Sequence, residues 1–303
     1  MTAMQLGAII ATARPAHWAK NSFVLAPLMF AHSLDDPEAI WKALVAAVLF
    51  SAVASGVYFM NDACDARRDR EHPAKRSRPV AMGTIGRVPA GAGGIAVMIA
   101  ATALAWLLSL ELAVVLAFYA GLNIAYSFYL KRFALVDIMV ISSGFVLRAV
   151  AGALAIEVTI SVWLLVCTFF VALLMAAGKR RVELATVGAD STATRPSLDQ
   201  ARVGFFDAVM AGAAGATMVF YTLYTVAPGT AEKFGGRGLI LTMPFVVYGV
   251  WRYVQMIHSD EAVENPATAL LRNRGVQAAV LGWGVVVLAI IYGFSGDLGG
   301  FVE

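Results

Sequence analysis

The sequence contains few charged residues and almost no cysteine. Asp, Glu, Lys and Arg make up only 14% of the 303 residues, whereas a soluble domain has roughly 25%. The two cysteines, Cys64 and Cys167, are too few for a disulfide framework, and we expect both to be free thiols. The four histidines lack zinc-site spacing, and the sequence has neither a Walker-type glycine loop nor a Ser-His-Asp arrangement. These absences argue against a soluble protein, a disulfide-rich domain and a zinc enzyme.

Long apolar runs dominate the sequence instead. Apolar residues make up 60% of the chain, and the mean hydropathy is +0.74. A helix needs about 20 apolar residues to cross the hydrocarbon core of a bilayer, and several runs reach that length. We therefore predict an all-α polytopic membrane protein with nine transmembrane helices, at residues 17–33, 39–60, 88–108, 111–130, 134–155, 160–178, 204–226, 237–257 and 274–295.

The sequence favours a single domain over residues 1–303, because neither an internal repeat nor a low-complexity linker separates the apolar runs. The first run is short and contains Pro27. No small-residue cleavage pattern precedes the polar turn at Asp35 and Asp36, so we expect this run to be retained and not removed as a signal peptide.

The positions of the charged residues predict the orientation of the helices. Most of the 23 Lys and Arg residues lie in the N-terminal segment and in the loops after the even-numbered spans. Cytoplasmic loops carry such an excess of basic residues, so we place the N-terminus in the cytoplasm and the chain in the inner or plasma membrane. The turns on the opposite side collect acidic residues, namely Asp35, Asp36, Glu38, Glu111, Glu157 and Glu232.

The most polar segment, residues 61–79, directly follows the second span. If the helix continues into it, Asn61, Asp65 and Asp69 recur every four residues and lie on one face, with Asp62 beside them. Carboxylates this close together repel each other unless a cation lies between them. Mg²⁺ prefers oxygen ligands and is typically bound by one or two carboxylates together with substrate phosphates. We therefore interpret Asn61, Asp65 and Asp69 as candidate Mg²⁺ ligands.

A basic cluster, Lys75, Arg76 and Arg78, follows this acidic face. Guanidinium and ammonium groups bind phosphate oxygens. The acidic face and the basic cluster together favour a cytoplasmic site for a metal–diphosphate complex, with Asp62, Lys75 and Arg78 as substrate contacts. The alternative is a solvated loop whose basic residues only follow the positive-inside rule, and we prefer it for three further arginines, Arg67, Arg68 and Arg70.

Two charged residues, Asp137 and Arg148, lie within an apolar span. A charge in the hydrocarbon region costs at least about 2.5–3.5 kcal/mol on insertion scales, so such residues face a cavity or a partner. Eleven residues correspond to three helical turns, which places both on one face about 16 Å apart. Asp137 is nearer the cytoplasmic end and could bind a second metal or a sugar hydroxyl. For Arg148, a substrate contact and a purely structural partner are equally weighted alternatives.

Further candidates for substrate contacts lie near the ends of the predicted spans, namely Lys20, Asn21, Tyr58, Tyr126, Lys131, Lys179 and Glu183. Lys179 and Glu183 are four residues apart and share a helix face. Aromatic and basic residues also form belts at the membrane interface, so packing or anchoring is the alternative role of the tyrosines and of Lys131. We expect Arg180 and Arg181 to be exposed on their helix.

The motif Asn61-Asp-x-x-Asp65-x-x-x-Asp69 after the second span resembles the UbiA superfamily of intramembrane prenyltransferases. A longer pattern is similar to the branch of that superfamily that transfers phosphoribose to a polyprenyl phosphate. Its segments are Arg14-Pro15 with Trp18-x-Lys20-Asn21, Asn61 to Pro79 with His72-Pro73, Tyr126-Ser with Lys131, Phe145-x-x-Arg148-Ala-x-Ala-Gly152 and Lys179-Arg180-x-x-Glu183. The second Asp-x-x-x-Asp motif of the superfamily is incomplete, because Ile141 stands four residues after Asp137.

This resemblance implies a UbiA-like bundle and a Mg²⁺-dependent transfer of 5-phosphoribosyl from phosphoribosyl diphosphate to polyprenyl (decaprenyl) phosphate, with release of diphosphate. The product would be a precursor of decaprenyl-phosphoryl arabinose, which is used for cell-wall arabinan. Asp65 and Asp69 would act in catalysis through the metal, and Asp137 would orient or stabilise the ribose. We expect no nucleic-acid partner, and the sequence leaves homo-oligomer formation open.

Two alternative functions share part of this pattern. A UbiA-type transferase that joins a prenyl diphosphate to an aromatic quinone precursor would use the same acidic face, although the missing second aspartate weakens this interpretation. Charges within a helical bundle also line the ion paths of transporters. The absence of a repeat with broken helices in the sequence argues against a transporter.

Overall fold

The computed structural model of the chain describes residues 3–71, 75–187, 203–259 and 273–293. Within these ranges the regular structure is helical and contains no strand, which confirms the predicted all-α class. Residue contacts divide the chain into two compact units. Unit 1 contains Met1–Val140 and Leu147–Thr159, and unit 2 contains Ile141–Val146 and Ile160–Glu303. We describe each unit separately, and the single-domain interpretation stays a prediction.

The described residues form α-helices and short 3₁₀ segments. The α-helices are α1 (Ala3–Ala13), α2 (Ala26–Phe30), α3 (Pro37–Glu71), α4 (Pro79–Met82), α5 (Arg87–Trp106), α6 (Leu110–Phe128), α7 (Ala134–Ala155), α8 (Val162–Val187), α9 (Val203–Val226), α10 (Pro228–Lys233), α11 (Met243–His258) and α12 (Arg274–Leu288). The 3₁₀ segments are Pro15–Leu25, Leu130–Arg132 and Gly238–Thr242, and α12 ends in a π-turn at Ala289–Gly293.

Eight helical stretches of the described chain are long and apolar enough to cross a membrane. They coincide with the second to ninth predicted spans, so the chain is a multi-pass membrane protein. The first predicted span, 17–33, is instead built from the 3₁₀ segment Pro15–Leu25 and the short helix α2. Pro15 and Pro27 lie in the first turns of these two pieces. Proline is favoured in the first turn of a helix, and because it has no backbone N–H it cannot continue the hydrogen bonds of a preceding helix. The count of nine and the cytoplasmic N-terminus remain predictions.

The centre of unit 1 is the packing of α3 against α5 and α6. Gly56 of α3 and Gly94 of α5 lie at the crossing point, where a Cβ on Gly56 would come 2.6 Å from the Gly94 carbonyl oxygen. Small residues allow two membrane helices to approach to backbone contact in this way. Fully buried side chains such as Phe50, Leu112 and Leu116 fill the core beside this crossing.

The C-terminal part of α7 packs against the 3₁₀ segment Pro15–Leu25. A Cβ on Gly152 would overlap the backbone carbonyl of Val24, so the two backbones touch at this position. Ala151 and Val24 belong to the same buried apolar core. This contact holds the polar residues of the 3₁₀ segment against α7.

The helix α3 extends well beyond its apolar part and ends only at Glu71. Ala63 and Ala66 of this extension pack against Val80 of α4 and Ala90 of α5. The turn into α4 follows local rules, with Pro79 at the first helical position and Gly83 at φ 82° after the last. Because one face of the extension is packed in this way, its acidic residues have a fixed position.

Unit 2 is built on two helix pairs, α8 with α9 and α11 with α12. Tyr253 of α11 lies over Gly178 of α8 and donates a 3.2 Å hydrogen bond to the Met175 carbonyl. Tyr221 of α9 joins the pairs, because its hydroxyl accepts a 2.7 Å hydrogen bond from the Trp283 ring of α12. The Tyr221 hydroxyl also lies 2.6 Å from the Thr242 hydroxyl.

Candidate active site

The acidic face of α3 forms on one continuous helix, as the spacing of Asn61, Asp65 and Asp69 predicted. The side chains differ in exposure: Asp62 and Asp69 are buried, at 2% and 4% exposed, whereas Asp65 is half-buried. Asp65 and Asp69 both lie close enough to repel the charge on Asp62. Buried carboxylates need hydrogen-bonded counter-charges, and the structure supplies them from three other segments.

Arg78, at the start of α4, bridges two of the carboxylates. Its Nη1 lies 2.8 Å from Asp69 Oδ2 and 3.2 Å from Asp62 Oδ1. Asp62 and Asp69 are seven residues apart on α3 and therefore point in nearly the same direction two helical turns apart. The predicted substrate contact Arg78 thus lies directly on the predicted acidic face.

Arg14 is a second partner of Asp62 and was not among the predicted site residues. Its Nη2 pairs with Asp62 Oδ1, and its guanidinium lies 4.9 Å from the centre of the Tyr58 ring, in cation–π geometry. The Arg14 backbone is left-handed, with φ 54° and ψ 62°, a conformation that non-glycine residues rarely adopt. The Arg14-Pro15 pair in the resemblance motif was the signal that could have identified it.

Lys131 is the counter-charge of Asp65. Its Nζ lies 2.7 Å and 2.9 Å from the two carboxylate oxygens. The 3₁₀ segment Leu130–Arg132 between α6 and α7 carries Lys131, which lies 66 residues after Asp65 in the sequence. The neighbouring Arg132 is exposed and stacks near the Tyr129 ring at 5.7 Å.

The structure therefore revises one step of the sequence argument. The acids do not depend on a metal ion to relieve their repulsion, because Arg14, Arg78 and Lys131 neutralise them. Among the described residues, no group of three or more His, Cys, Asp or Glu side chains surrounds a common point that could hold a metal. The role of Asn61, Asp65 and Asp69 as metal ligands stays a prediction.

Asn61 nevertheless supplies an observation that fits a cation site. Its side-chain oxygen Oδ1 is buried and has no hydrogen-bond partner in the described part of the chain. A buried acceptor without a donor is costly, and such an atom is a typical sign of a missing water or ion. Together with the Asp65 and Asp69 carboxylates, this oxygen gives the donor chemistry that Mg²⁺ prefers.

A second polar cluster joins α6 and α7. The Tyr126 hydroxyl donates a 2.6 Å hydrogen bond to Asp137 Oδ1. Asp137 is 1% exposed, so this bond helps to keep the carboxylate in a buried position. Two predicted site residues, eleven positions apart, thus form a direct pair.

A third cluster surrounds Arg148 of α7. Its Nε donates a 2.7 Å hydrogen bond to Asn21 Oδ1, and its Nη2 donates one of 3.2 Å to the Tyr119 hydroxyl. The guanidinium also lies 4.9 Å from the centre of the Phe50 ring.

In unit 2, one residue differs from its predicted exposure. Glu183 pairs with Arg180 at 2.8 Å, and Arg180 is buried at 3% exposed, whereas Lys179 is exposed. The expectation that Arg180 is exposed is therefore wrong, because the helix turns this residue, and not Lys179, towards the interior. Arg181 is half-buried and pairs with Asp207 of α9 at 2.5 Å.

The remaining predicted residues differ in exposure. Lys20 is exposed and Lys75 is half-buried. Arg67, Arg68 and Arg70 are exposed, in keeping with the solvated role that we preferred for them. His72 and Pro73 of the resemblance motif lie outside the described residues.

Apolar helices with acidic and basic side chains paired at the end of one long helix define a helical membrane protein with a polar, charged cluster. The chain belongs to the UbiA prenyltransferase family, which matches residues 22–275. This finding confirms the recognition of the superfamily from the pattern at Asn61 to Asp69.

Two similar proteins indicate the branch of the family to which the chain is related. The chain is 34% identical over 288 residues to decaprenyl-phosphate phosphoribosyltransferase of Mycobacterium tuberculosis, which covers 93% of this chain and 94% of the relative. It is 32% identical over 292 residues to the protein of the same name from Corynebacterium glutamicum, with 94% and 86% covered. The resemblance to the phosphoribosyltransferase branch is thereby confirmed.

The fold also matches a solved structure. A UbiA homologue from Archaeoglobus fulgidus, bound to DMAPP and Mg²⁺, superposes with a TM-score of 0.71 and 13% sequence identity, over 93% of this chain and 98% of the homologue. At this low identity the likeness concerns the fold alone.

Proposed function

We propose that the chain transfers the 5-phosphoribosyl group of phosphoribosyl diphosphate to a polyprenyl phosphate and releases diphosphate. The observation that carries the proposal is the similarity, over nearly the whole chain, to relatives named decaprenyl-phosphate phosphoribosyltransferase. The paired acidic and basic side chains on α3, α4 and the 3₁₀ segment Leu130–Arg132 supply the charges that such a diphosphate substrate requires.

In this proposal, Asn61, Asp65 and Asp69 would hold Mg²⁺. The bound metal would neutralise the negative charge that develops on the leaving diphosphate. The unpartnered Asn61 oxygen and the two carboxylates support the assignment of these ligands. The Mg²⁺ bound to the Archaeoglobus homologue supports the choice of metal.

The basic residues would contact the phosphate groups. Arg78 and Lys131 already lie beside the carboxylates that would hold the metal, and Lys75 lies on the same turn as Arg78. Lys20, Lys179 and Glu183 stay candidates for further substrate contacts. Fixed cations stabilise developing negative charge without having to reorganise during the reaction.

Asp137 would face the ribose. When the bond from C1 to the diphosphate oxygen breaks, C1 gains oxocarbenium character, which a nearby carboxylate stabilises. Tyr126 would keep this carboxylate in place through its 2.6 Å hydrogen bond. The attacking phosphate oxygen of the acceptor is already ionised at neutral pH, so the reaction needs no strong general base.

The donor distinguishes this proposal from aromatic prenyl transfer. Ile141 occupies the position where a second Asp-x-x-x-Asp motif would supply its last carboxylate. This incomplete motif argues against a prenyl diphosphate as the donor. The polyprenyl tail of the acceptor would instead lie along the lipid, with only its phosphate in the polar site.

The proposed setting follows from the charge distribution of the sequence. The basic loops support a site on the cytoplasmic side of the inner or plasma membrane, where soluble phosphoribosyl diphosphate would reach it. The lipid product would serve cell-wall arabinan synthesis by way of decaprenyl-phosphoryl arabinose. Homo-oligomer formation is compatible with this setting.

Incubation of the purified chain with phosphoribosyl diphosphate, Mg²⁺ and polyprenyl phosphate tests the proposal by mass spectrometry of the lipid. We expect a polyprenyl-phosphoryl phosphoribose together with free diphosphate. A parallel incubation with a prenyl diphosphate and an aromatic quinone precursor tests the alternative. Prenylation of the aromatic compound without a ribosylated lipid would overturn the proposal.

A further inference from the structure

We propose that Arg78 and Lys131 are exchangeable counter-ions, which leave the carboxylates of α3 and bind the diphosphate oxygens when the metal–diphosphate complex enters. The metal and the diphosphate would then bind only weakly alone and strongly together. This inference rests on the proposed function, because it assumes a metal-bound diphosphate at this site.

The charge balance of the acidic face leads to this inference. Each of the three carboxylates, Asp62, Asp65 and Asp69, is paired with at least one of three cations, Arg14, Arg78 and Lys131. Arg78 already occupies Oδ2 of Asp69, and Lys131 contacts both carboxylate oxygens of Asp65, so a divalent cation at these two acids would have to share them with both cations. Metal binding therefore has to compete with hydrogen-bonded internal cations, each worth more than an ordinary hydrogen bond.

Arg78 is placed so that it can leave at small cost. It shares Asp62 with Arg14, so Asp62 keeps a counter-ion after Arg78 has moved. Asp69 would exchange Arg78 for the metal ion. Arg78 is also the more exposed partner, since its side chain is 27% exposed and that of Asp69 only 5%.

Lys131 is equally suited to exchange. Its amine is a point charge on a flexible stem, and it contacts only the half-buried Asp65 among the acids of α3. A diphosphate bound to the metal at Asp65 would bring negative oxygens next to this amine. Both displaced cations would then regain a charge-assisted hydrogen bond, which the metal alone cannot offer.

The exchange makes a distinctive prediction for variants. Removing either cation should tighten binding of the metal alone, because the metal no longer has a competitor. The same change should weaken binding of the diphosphate in the presence of metal, because the anion loses a ligand. A residue that only contacts the substrate would show the second effect without the first.

The test uses the full-length chain in detergent and the variants Arg78→Gln and Lys131→Gln. Mn²⁺ replaces Mg²⁺, and electron paramagnetic resonance measures free Mn²⁺ without any anion. We expect about tenfold tighter Mn²⁺ binding in each variant, the scale of one charge-assisted hydrogen bond. Equilibrium dialysis with labelled pyrophosphate at saturating Mn²⁺ should show about tenfold weaker anion binding.

Arg70→Gln is the matched control, since it removes a positive charge from the same helix end. Arg70 donates its Nε hydrogen bond to the Ala81 carbonyl and not to a carboxylate, so neither affinity should change more than about twofold. If a glutamine variant does not fold, Arg78→Met or Lys131→Met, which also remove the charge, takes its place. Arg78→Lys and Lys131→Arg, which keep the charge, should leave Mn²⁺ affinity near the wild-type value.

The outcomes separate this inference from the proposed function. Unchanged or weaker Mn²⁺ binding in the Arg78 and Lys131 variants overturns the exchange, even if the wild-type chain forms the ribosylated lipid. Tighter Mn²⁺ and weaker pyrophosphate binding support the exchange, even if phosphoribosyl diphosphate proves not to be the donor. If Arg70→Gln gains the same Mn²⁺ affinity, the effect comes from the change in net charge alone, and the exchange is overturned as well.

Discussion

Arg148 of α7 donates a 2.7 Å hydrogen bond to the side-chain oxygen of Asn21, which lies 127 residues earlier in the chain. Both residues are buried, and Asn21 in turn donates a 2.8 Å hydrogen bond to Ser51 of α3. The guanidinium thus links three segments of unit 1 that are distant in sequence. This geometry favours the structural alternative for Arg148, although it leaves a substrate contact testable.

Replacing Asn21 with Leu should destabilise the protein, because the buried guanidinium of Arg148 loses an acceptor. We expect a loss of about 1–3 kcal/mol, measured as a lower melting temperature of the solubilised chain. Ser22→Ala changes an exposed neighbour whose hydroxyl bonds only to the Ala19 carbonyl, and it should have no effect. Lost activity at an unchanged melting temperature would instead assign Arg148 and Asn21 to the substrate.

Gly56→Ala should disrupt the contact of α3 with α5. The added Cβ would lie 2.6 Å from both the Gly94 carbonyl oxygen and the Met98 side chain, and overpacking of this kind costs about 1–3 kcal/mol. Gly93→Ala on α5 is the control, because no atom lies within 4 Å of its Cβ position. Thermal unfolding should show a decrease for the first variant only, and an equal response of both would contradict the backbone contact.

Asp65→Ala and Asp69→Ala should each reduce turnover at least about 100-fold, the loss typical of removing one fixed group that stabilises transition-state charge. Chelation of the metal should abolish the activity of the wild-type chain, and added Mg²⁺ should restore it. Asp35→Ala removes an exposed carboxylate far from the acidic face in sequence and should retain full turnover. If both site variants kept Mg²⁺-dependent activity, the metal assignment would be lost.

Tyr126→Phe should lower kcat about tenfold, because Asp137 loses the hydroxyl that donates to it at 2.6 Å. KM for phosphoribosyl diphosphate should change little if Tyr126 acts only by holding Asp137. Tyr129→Phe, three residues on, removes a hydroxyl from an exposed ring and serves as the control. A rise in KM with unchanged kcat would show that Tyr126 itself binds the donor.

Much of the fold followed from local sequence patterns. Apolar runs of sufficient length predicted eight stretches that the structure forms, because a bilayer sets a minimum length for any helix that crosses it. The four-residue spacing of Asn61, Asp65 and Asp69 predicted their common face, because helix periodicity is a local property. The first span was harder to predict, since hydropathy does not distinguish a 3₁₀ segment from an α-helix.

The pairing of charges could not be predicted in the same way. Arg14 meets Asp62 across 48 residues and Lys131 meets Asp65 across 66, distances at which sequence spacing carries no geometric information. Whether Arg180 or Lys179 turns inward depends likewise on which face of α8 is covered by other helices. The sequence alone therefore determined the helices and the acidic face of α3. Only the tertiary structure decided which cations neutralise these acids, because ion pairs between distant segments exist only once the helices have packed.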